Sequence, residues 1–161
     1  MTRGTHRYFS SMLATFVCIS IGYYKGFWQG VNSYFFYLIP FSFAMANLPD
    51  IDHPKSGIGK IFKRISLRVY NKFGHRGFTH SLLGMGYAVA MFSILVSIFT
   101  DRLYLILFFC IAYGSHLLAD MCTISGIPLF YPFTNKRYKI MKIRTGSDTE
   151  YFIKDIIKIF S

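Results

Sequence analysis

Acidic residues, cysteine and tryptophan are scarce in this sequence of 161 residues. It has 7 Asp and Glu against 18 Lys and Arg, 3 cysteines and a single tryptophan. The cysteines (Cys18, Cys110 and Cys122) show no C-x-x-C spacing, and two of them lie within apolar runs. This pattern argues against a disulfide framework and against a thiolate-held structural zinc, and we expect reduced, packed thiols.

The shortage of acidic residues leaves a net charge of +11, which raises nucleic acid as a partner. The basic residues, however, lie between apolar segments, where anionic lipid and the positive-inside rule explain them first. We therefore expect membrane lipids of the anionic inner leaflet as partners and no specific nucleic acid. The oligomeric state is left open by the sequence.

Long apolar runs are abundant, and 53% of the residues are hydrophobic and 19% aromatic. This composition and length predict one membrane-embedded domain over residues 1–161. We expect an all-α, integral membrane helical bundle of about four membrane segments, at residues 8–24, 34–47, 82–100 and 103–119. The second segment is short against the usual requirement of about 20 residues and contains Pro40. No cleavage signature follows the first segment, which is therefore expected to be a retained helix.

Lys and Arg are unevenly distributed among the loops. Arg3 and Arg7 precede the first segment, seven basic residues lie within 55–76, and seven more lie within 136–158. The other two loops are nearly free of positive charge. This bias predicts a multi-pass protein whose termini and central loop are cytoplasmic.

Two amphipathic interfacial helices are predicted in addition. In the central loop, one face carries Ile58, Ile61, Phe62, Ile65 and Val69, and Lys60, Lys63 and Arg64 point away. Near the end of the chain, S-D-T-E at Ser147 to Glu150 has capping-box spacing and precedes a second apolar face. The stretch after Asp120 contains glycine and prolines and is expected to be an irregular loop.

Histidine and aspartate occur in groups at the ends of the four apolar segments. His6 precedes the first segment, Asp50, Asp52 and His53 follow the second, His75 and His80 open the third, and His116 and Asp120 close the fourth. Under the predicted topology, all four groups lie at the cytoplasmic face of the membrane. Ionisable residues in such positions mark functional sites.

Imidazole and carboxylate ligands together suit zinc, manganese or iron better than calcium or magnesium. The groups are numerous enough for two or more divalent metal ions. Paired ions clamp phosphoryl oxygens and lower the pKa of a bound water from about 15.7 towards about 7. We therefore expect hydrolysis of a lipid or nucleotide-like phosphoester, with Arg76 and Asp52 as candidate catalytic groups and Arg76 stabilising the phosphate charge.

Structural interpretations stand beside these functional ones. In these alternatives, His116 and Asp120 would form only a buried ion pair, and the Asp50 region would be only a polar turn before Pro54. His75 would be a solvated loop residue, and Glu150 would be a helix cap. Two other functions also remain open. One is ion or proton transport through the His and Asp residues, and the other is anionic-lipid binding through the basic helix.

Longer motifs extend over nearly the whole chain. They are T-H at Thr5, L-P-D-I-D-H-P-K-S at Leu48, F-G-H-R-G-F-T-H-S at Phe73, G-S-H-L-L-A-D at Gly114, G-I-P-L-F-Y-P-F at Gly126 and G-S-x-x-E ending at Glu150. Together they resemble the YdjM-type family of bacterial inner-membrane proteins. The resemblance implies a metal-dependent hydrolase of the inner membrane.

That family is distantly similar to zinc-dependent phospholipases C and single-strand nucleases. The similarity implies a ligand set containing His6, Asp50 or Asp52, His75 or His80, His116 and Asp120. A further His pair of those enzymes has no clear match here, which favours about two ions, zinc or manganese, over three. With the neighbouring candidates His53 and Glu150, the metal-ligand candidates are His6, Asp50, Asp52, His53, His75, His80, His116, Asp120 and Glu150.

Overall fold

The computed structural model describes residues 1–24, 38–99 and 104–160. No strand occurs in these ranges, and two isolated bridges join Thr123 to Ile143 and Ile127 to Tyr138. Two 3-10 turns lie at Leu48–Asp52 and Phe78–His80. The helices are α1 (Arg3–Tyr24), α2 (38–45), α3 (Gly57–Ile61), α4 (Lys63–Phe73), α5 (Leu82–Phe99), α6 (Tyr104–Met121) and α7 (Asp148–Ile159). The all-α prediction is confirmed for the described residues.

Helix α6 is the central element of the packing. Its Phe108 lies in an apolar cluster with Ala14 of α1 and Leu38 of α2. The next residue, Phe109, stacks on Phe92 of α5 with ring centroids 4.3 Å apart. Helices α1, α2 and α5 therefore pack around α6, and His116 and Asp120 near its end are buried.

Two helices within the described ranges are long and apolar enough to cross a membrane. They are α5, with a mean hydropathy of 2.1, and α6, with 1.5. Only 11% of the α5 residues are buried, against 50% of those in α6. These helices correspond to the third and fourth predicted segments, whereas α1 contains the first and α2 part of the second. Residues 25–37 and 100–103, which include predicted loops, lie outside the described residues, and the four-segment bundle stays a prediction.

The predicted basic helix of the central loop is in fact two helices, α3 and α4, which meet at Phe62. The Ser56 side chain caps α3 by accepting a hydrogen bond from the Gly59 backbone N–H. Gly74 follows α4 with φ of 71°, a left-handed conformation that glycine adopts without steric cost. Helix α4 packs against the Leu48–Asp52 turn.

Helix α5 begins directly against the second 3-10 turn. A Cβ atom added to Gly84 would lie 2.0 Å from the carbonyl oxygen of Phe78, so only glycine permits this approach. The contact holds His80 at the start of α5, as the sequence predicted.

The region after α6 has the secondary structure that the sequence predicts. The stretch after α6 is irregular, and Ser147 caps α7 by accepting a hydrogen bond from the Glu150 backbone N–H. Helix α7 packs against α1. Its predicted location at the membrane interface stays a prediction.

Candidate metal centre

The predicted His and Asp side chains meet at the point where α1, the two 3-10 turns and α6 converge. Their possible ligand atoms fall into three groups, each lying within 4.8 Å: His6, His116 and Asp120; Asp50, His80 and His116; and Asp50, Asp52 and His75. His116 is shared by the first two groups and Asp50 by the last two. The groups therefore form one continuous series, which we call the His/Asp row. Each group of the row could hold a metal ion.

The centre of the row is a pair of imidazoles that face each other. The Nε2 atoms of His80 and His116 are 3.2 Å apart. The Asp50 carboxylate lies 3.7 Å from the first of these atoms and 3.6 Å from the second. Asp120 approaches the same two atoms to 3.5 and 3.8 Å. Two nitrogens and two carboxylates thus point into one small volume.

The hydrogen bonds behind these two imidazoles define their tautomers. Nδ1 of His116 lies 2.7 Å from the carbonyl oxygen of Ala46, and Nδ1 of His80 lies 3.1 Å from the Asp52 carboxylate. A carbonyl and an ionised carboxylate only accept, so each Nδ1 carries the hydrogen and donates it. In its neutral form, each ring then presents the lone pair of Nε2 to the centre, as a metal-binding histidine does.

Asp52 is fully buried and accepts hydrogen bonds from several directions. Besides His80, its donors are Nδ1 of His75 at 3.0 Å, the backbone N–H of Arg76 at 2.9 Å and the hydroxyl of Thr79 at 2.6 Å. Burial acts to raise the pKa of Asp52, but the bonds from His75, His80 and Thr79 outweigh it, and the pKa lies below its usual range. Asp52 is therefore a fixed carboxylate.

Arg76 contacts two carboxylates of the row, Asp52 and Asp120. Its guanidinium is 2.8 Å from Asp120 and donates to the hydroxyls of Thr123 and Ser125. Its backbone has φ of 57°, which is rare for a residue with a Cβ and is found mainly where a functional site requires it. The Arg76 N–H is thereby directed at Asp52, while the side chain reaches Asp120.

His6 closes one end of the row. Its ring stacks on that of His116, with centroids 3.8 Å apart, and its Nε2 lies 3.4 Å from Asp120. Its Nδ1 is buried and has no hydrogen-bond partner within the described part of the chain. The predicted position of His6 beside the α6 residues is thus observed.

Two of the predicted metal ligands belong to none of the three groups. His53 makes an edge contact with the ring of His75, with centroids 4.7 Å apart. Glu150 is buried and accepts hydrogen bonds from the backbone N–H groups of Thr2 and Gly146 and from the Thr5 hydroxyl. These bonds attach α7 to the start of α1. The structure therefore brings His53 to the edge of the row and gives Glu150 other partners.

A cleft of about 560 Å³ opens onto the row. His6, Asp50 and His75 line it together with Lys55 and Lys60. A phosphate entering the cleft would therefore meet both the candidate ligands and two amines. Cationic groups of this kind attract anionic substrates.

Sequence reasoning missed three contributors to the site. Thr79 donates a hydrogen bond to Asp52, and Ala46 contributes only its backbone carbonyl. Asn47 lines the cleft, and both of its amide atoms are buried without a partner among the described residues. Asn47 directly precedes the L-P-D motif and Thr79 lies within the F-G-H-R-G-F-T-H-S motif, whereas Ala46 had no signal in the sequence.

Comparisons with known proteins identify one family and a further relative. A family model described as YdjM inner membrane protein matches residues 1–159. Inner membrane protein YdjM of Escherichia coli (strain K12) is 40% identical over 122 residues, which cover 73% of this chain and 61% of that relative, and the Shigella flexneri protein of the same name matches equally. Uncharacterized protein YvsG of Bacillus subtilis (strain 168) is 38% identical over 108 residues, which cover 67% of this chain and 65% of the relative. The chain thus spans less than two thirds of the length of these relatives. No solved structure matches.

Proposed function

This chain belongs to the YdjM inner membrane protein family, and from that membership and its His/Asp row we propose that it is a membrane-bound, metal-dependent phosphoester hydrolase. The single observation that carries the proposal is the pair of Nε2 atoms of His80 and His116, which face each other 3.2 Å apart between two carboxylates.

The residues fit a divalent metal for a physical reason. Two imidazole lone pairs at this separation repel each other unless a metal ion or a shared proton lies between them. Both Nδ1 atoms are already used for hydrogen bonds, which leaves the two Nε2 atoms for an ion. The donor set contains imidazole nitrogen and carboxylate oxygen and no thiolate, which suits zinc or manganese. Because the row extends from His6 to His75 and its groups overlap at His116 and Asp50, we propose two ions, one towards each end.

Ions at this site would polarise a phosphoryl oxygen and lower the pKa of water, which is the chemistry of phosphoester hydrolysis. The chain's own groups would bind and orient the substrate. Lys55 and Lys60 attract the phosphate into the cleft, and Asn47 offers its unpaired amide to it. Arg76 holds Asp120 in place and contributes positive charge beside the row.

Asp52 has a different role in this proposal from that of Asp50. Its oxygens accept hydrogen bonds from two imidazoles, one hydroxyl and one backbone N–H, so it acts through His80 and His75 by fixing their tautomers and orientation. Asp50 is partly exposed to the cleft, and its carboxylate is available to an ion or a substrate.

We further propose the inner membrane as the location, with several membrane segments and with the row at the cytoplasmic face. The support comes from the name of the family, from the two long apolar helices, and from the basic residues concentrated near the site. A tag accessibility assay on both termini in inverted and intact vesicles tests this orientation.

The central experiment is metal analysis of detergent-purified protein combined with a panel of chromogenic phosphomonoesters and phosphodiesters. Wild type is expected to contain a transition metal and to hydrolyse at least one ester, whereas H116A loses both. D155A, which alters an exposed carboxylate on α7, is the matched control and retains both. Metal-free wild type, or equal metal in H116A, contradicts the metal centre. Bound metal without turnover of any ester contradicts the hydrolase and favours ion transport.

A further inference from the structure

A second cavity, of about 470 Å³, lies on the other side of the Leu48–Asp52 turn. One wall is formed by Ile65 and Val69 of α4, and the opposite wall by Ala88 and Met91 of α5. We call this cavity the apolar groove. Its volume lies within the range typical of small-molecule sites.

The polar groups along the groove are few, and two of them are already engaged. The Tyr113 hydroxyl donates to the Thr79 carbonyl, and the Thr79 hydroxyl donates to Asp52. A polar ligand would therefore lose hydrogen bonds to water and regain few. A hydrocarbon chain loses none, and its burial is favourable.

The groove and the polar cleft are placed on either side of one turn. Asp50 of this turn lines the cleft, whereas Leu48 and Ile51 line the groove. Thr79 extends the connection, since it lines the groove and donates to Asp52 of the His/Asp row. A polar site and an apolar site that share a wall fit an amphiphile with a charged head and an apolar tail.

The surroundings of the groove indicate the kind of amphiphile. Helix α5 forms one wall and is apolar and largely exposed along its length, as expected for a helix in contact with lipid. Helix α4 forms the other wall and carries exposed basic residues that do not line the groove, namely Lys63, Arg64, Arg68 and Lys72. A basic amphipathic helix of this kind favours the surface of an anionic lipid layer.

We propose that the groove binds an acyl chain of an anionic phospholipid and that the substrate of the proposed hydrolase is a lipid phosphoester. This inference rests on the proposed function for its catalytic part and on the groove alone for its binding part. The headgroup phosphate belongs in the cleft beside Asp50, and the chain extends past Thr79 between α4 and α5.

The binding part is tested with an anionic phospholipid that carries a photoreactive diazirine in its acyl chain, incorporated into vesicles with the full-length chain. Cross-links mapped by peptide mass spectrometry are expected on α4 and α5 residues of the groove. A88F fills the groove and should reduce these cross-links about tenfold, because a well-packed site does not admit both a phenyl ring and a ligand. A90F places the same ring on an exposed position of α5 and should leave them unchanged.

V69F fills the groove from the α4 side, so that a folding defect in A88F does not decide the result. Cross-links spread evenly over the exposed face of α5, or equal labelling in A88F, V69F and A90F, indicate bulk lipid only and overturn the proposal.

The catalytic part is measured as the ratio of lipid phosphoester turnover to water-soluble phosphoester turnover. This ratio should fall about tenfold in A88F and stay constant in A90F. A constant ratio in A88F overturns the lipid substrate while leaving the hydrolase intact. If wild type contains no metal, the proposed function is wrong. The cross-linking result alone then decides whether the groove binds an acyl chain.

Discussion

The Nε2 atoms of His80 and His116 lie 3.2 Å apart although 36 positions separate the two residues in the sequence. Each ring donates its Nδ1 hydrogen outward, to Asp52 and to the Ala46 carbonyl. The inward nitrogens are thus oriented by groups that do not themselves face the centre. This division between facing and supporting groups leads to the first prediction.

Asp52→Asn should weaken metal binding without removing an ion. The amide oxygen accepts as the carboxylate did, but the amide NH2 opposes donors that already point at this side chain. Loss of a supporting carboxylate typically costs about 10- to 100-fold in metal affinity. Titration against a chromophoric zinc chelator measures the affinity, and the visible spectrum of the cobalt-substituted protein reports the ligand geometry.

D155N is the matched control for this charge change, because Asp155 is exposed on α7. Its affinity and cobalt spectrum should equal those of wild type. If D52N lost one ion outright at saturating metal, Asp52 would be a direct ligand and the supporting role would be wrong.

The convergence of the His and Asp groups was predictable because helix periodicity and an alternating loop charge constrain it. His116 and Asp120 had to share a face, and the four segments were expected to place their polar ends together. The supporting bonds were not predictable, because they depend on side-chain rotation and on a backbone acceptor, Ala46, that leaves no trace in the sequence. The break between α3 and α4 at Phe62 was also missed, because the apolar face is continuous across it.

Variants at the two ends of the row should lose different ions. His6 belongs only to the group with His116 and Asp120. His75 lies beside Asp50 at the other end of the row, with Asp52 behind it as a hydrogen-bond acceptor. H6A and H75A are therefore each expected to fall from about two ions to about one, and the double variant to bind neither tightly. His116 is shared by two groups, so H116A should affect both ions.

Metal content by mass spectrometry at a fixed free-metal concentration measures these losses. H53A is the control for H75A, since His53 contacts His75 but belongs to none of the three groups. Identical losses in every histidine variant, H53A included, would indicate general unfolding in place of separate ion sites.

Glu150→Gln should lower stability and leave the metal content unchanged. Burial acts to raise the pKa of Glu150, but hydrogen bonds from Thr2, Gly146 and Thr5 outweigh it, and the pKa lies below its ordinary value. The charged form therefore stabilises the fold at pH values above the pKa of the unfolded chain, and this contribution is lost as the pH falls through the folded pKa.

The expected cost of E150Q at neutral pH is about 1.5–3 kcal/mol, the range for hydrogen bonds to a charged group. Thermal unfolding in detergent at several pH values measures it, and the difference from wild type should shrink towards acidic pH. D148N, which removes an exposed carboxylate from the first turn of the same helix, should cost less. Loss of an ion in E150Q would instead support Glu150 as a ligand.

Arg76→Lys should reduce phosphoester turnover more than it reduces metal binding. The guanidinium reaches Asp120 and two hydroxyls at once, and a lysine amine lacks the planar fork needed to keep all three contacts. Loss of one or two charge-assisted hydrogen bonds corresponds to about a 10- to 100-fold fall in kcat/KM. The left-handed backbone at this position is unchanged by the substitution, so the loss reports the side chain.

R137K is the matched control and should retain wild-type turnover. Among the described contacts, Arg137 is bonded only to the Gly126 carbonyl. Equal kcat/KM in R76K and wild type would mean that Arg76 serves the fold alone.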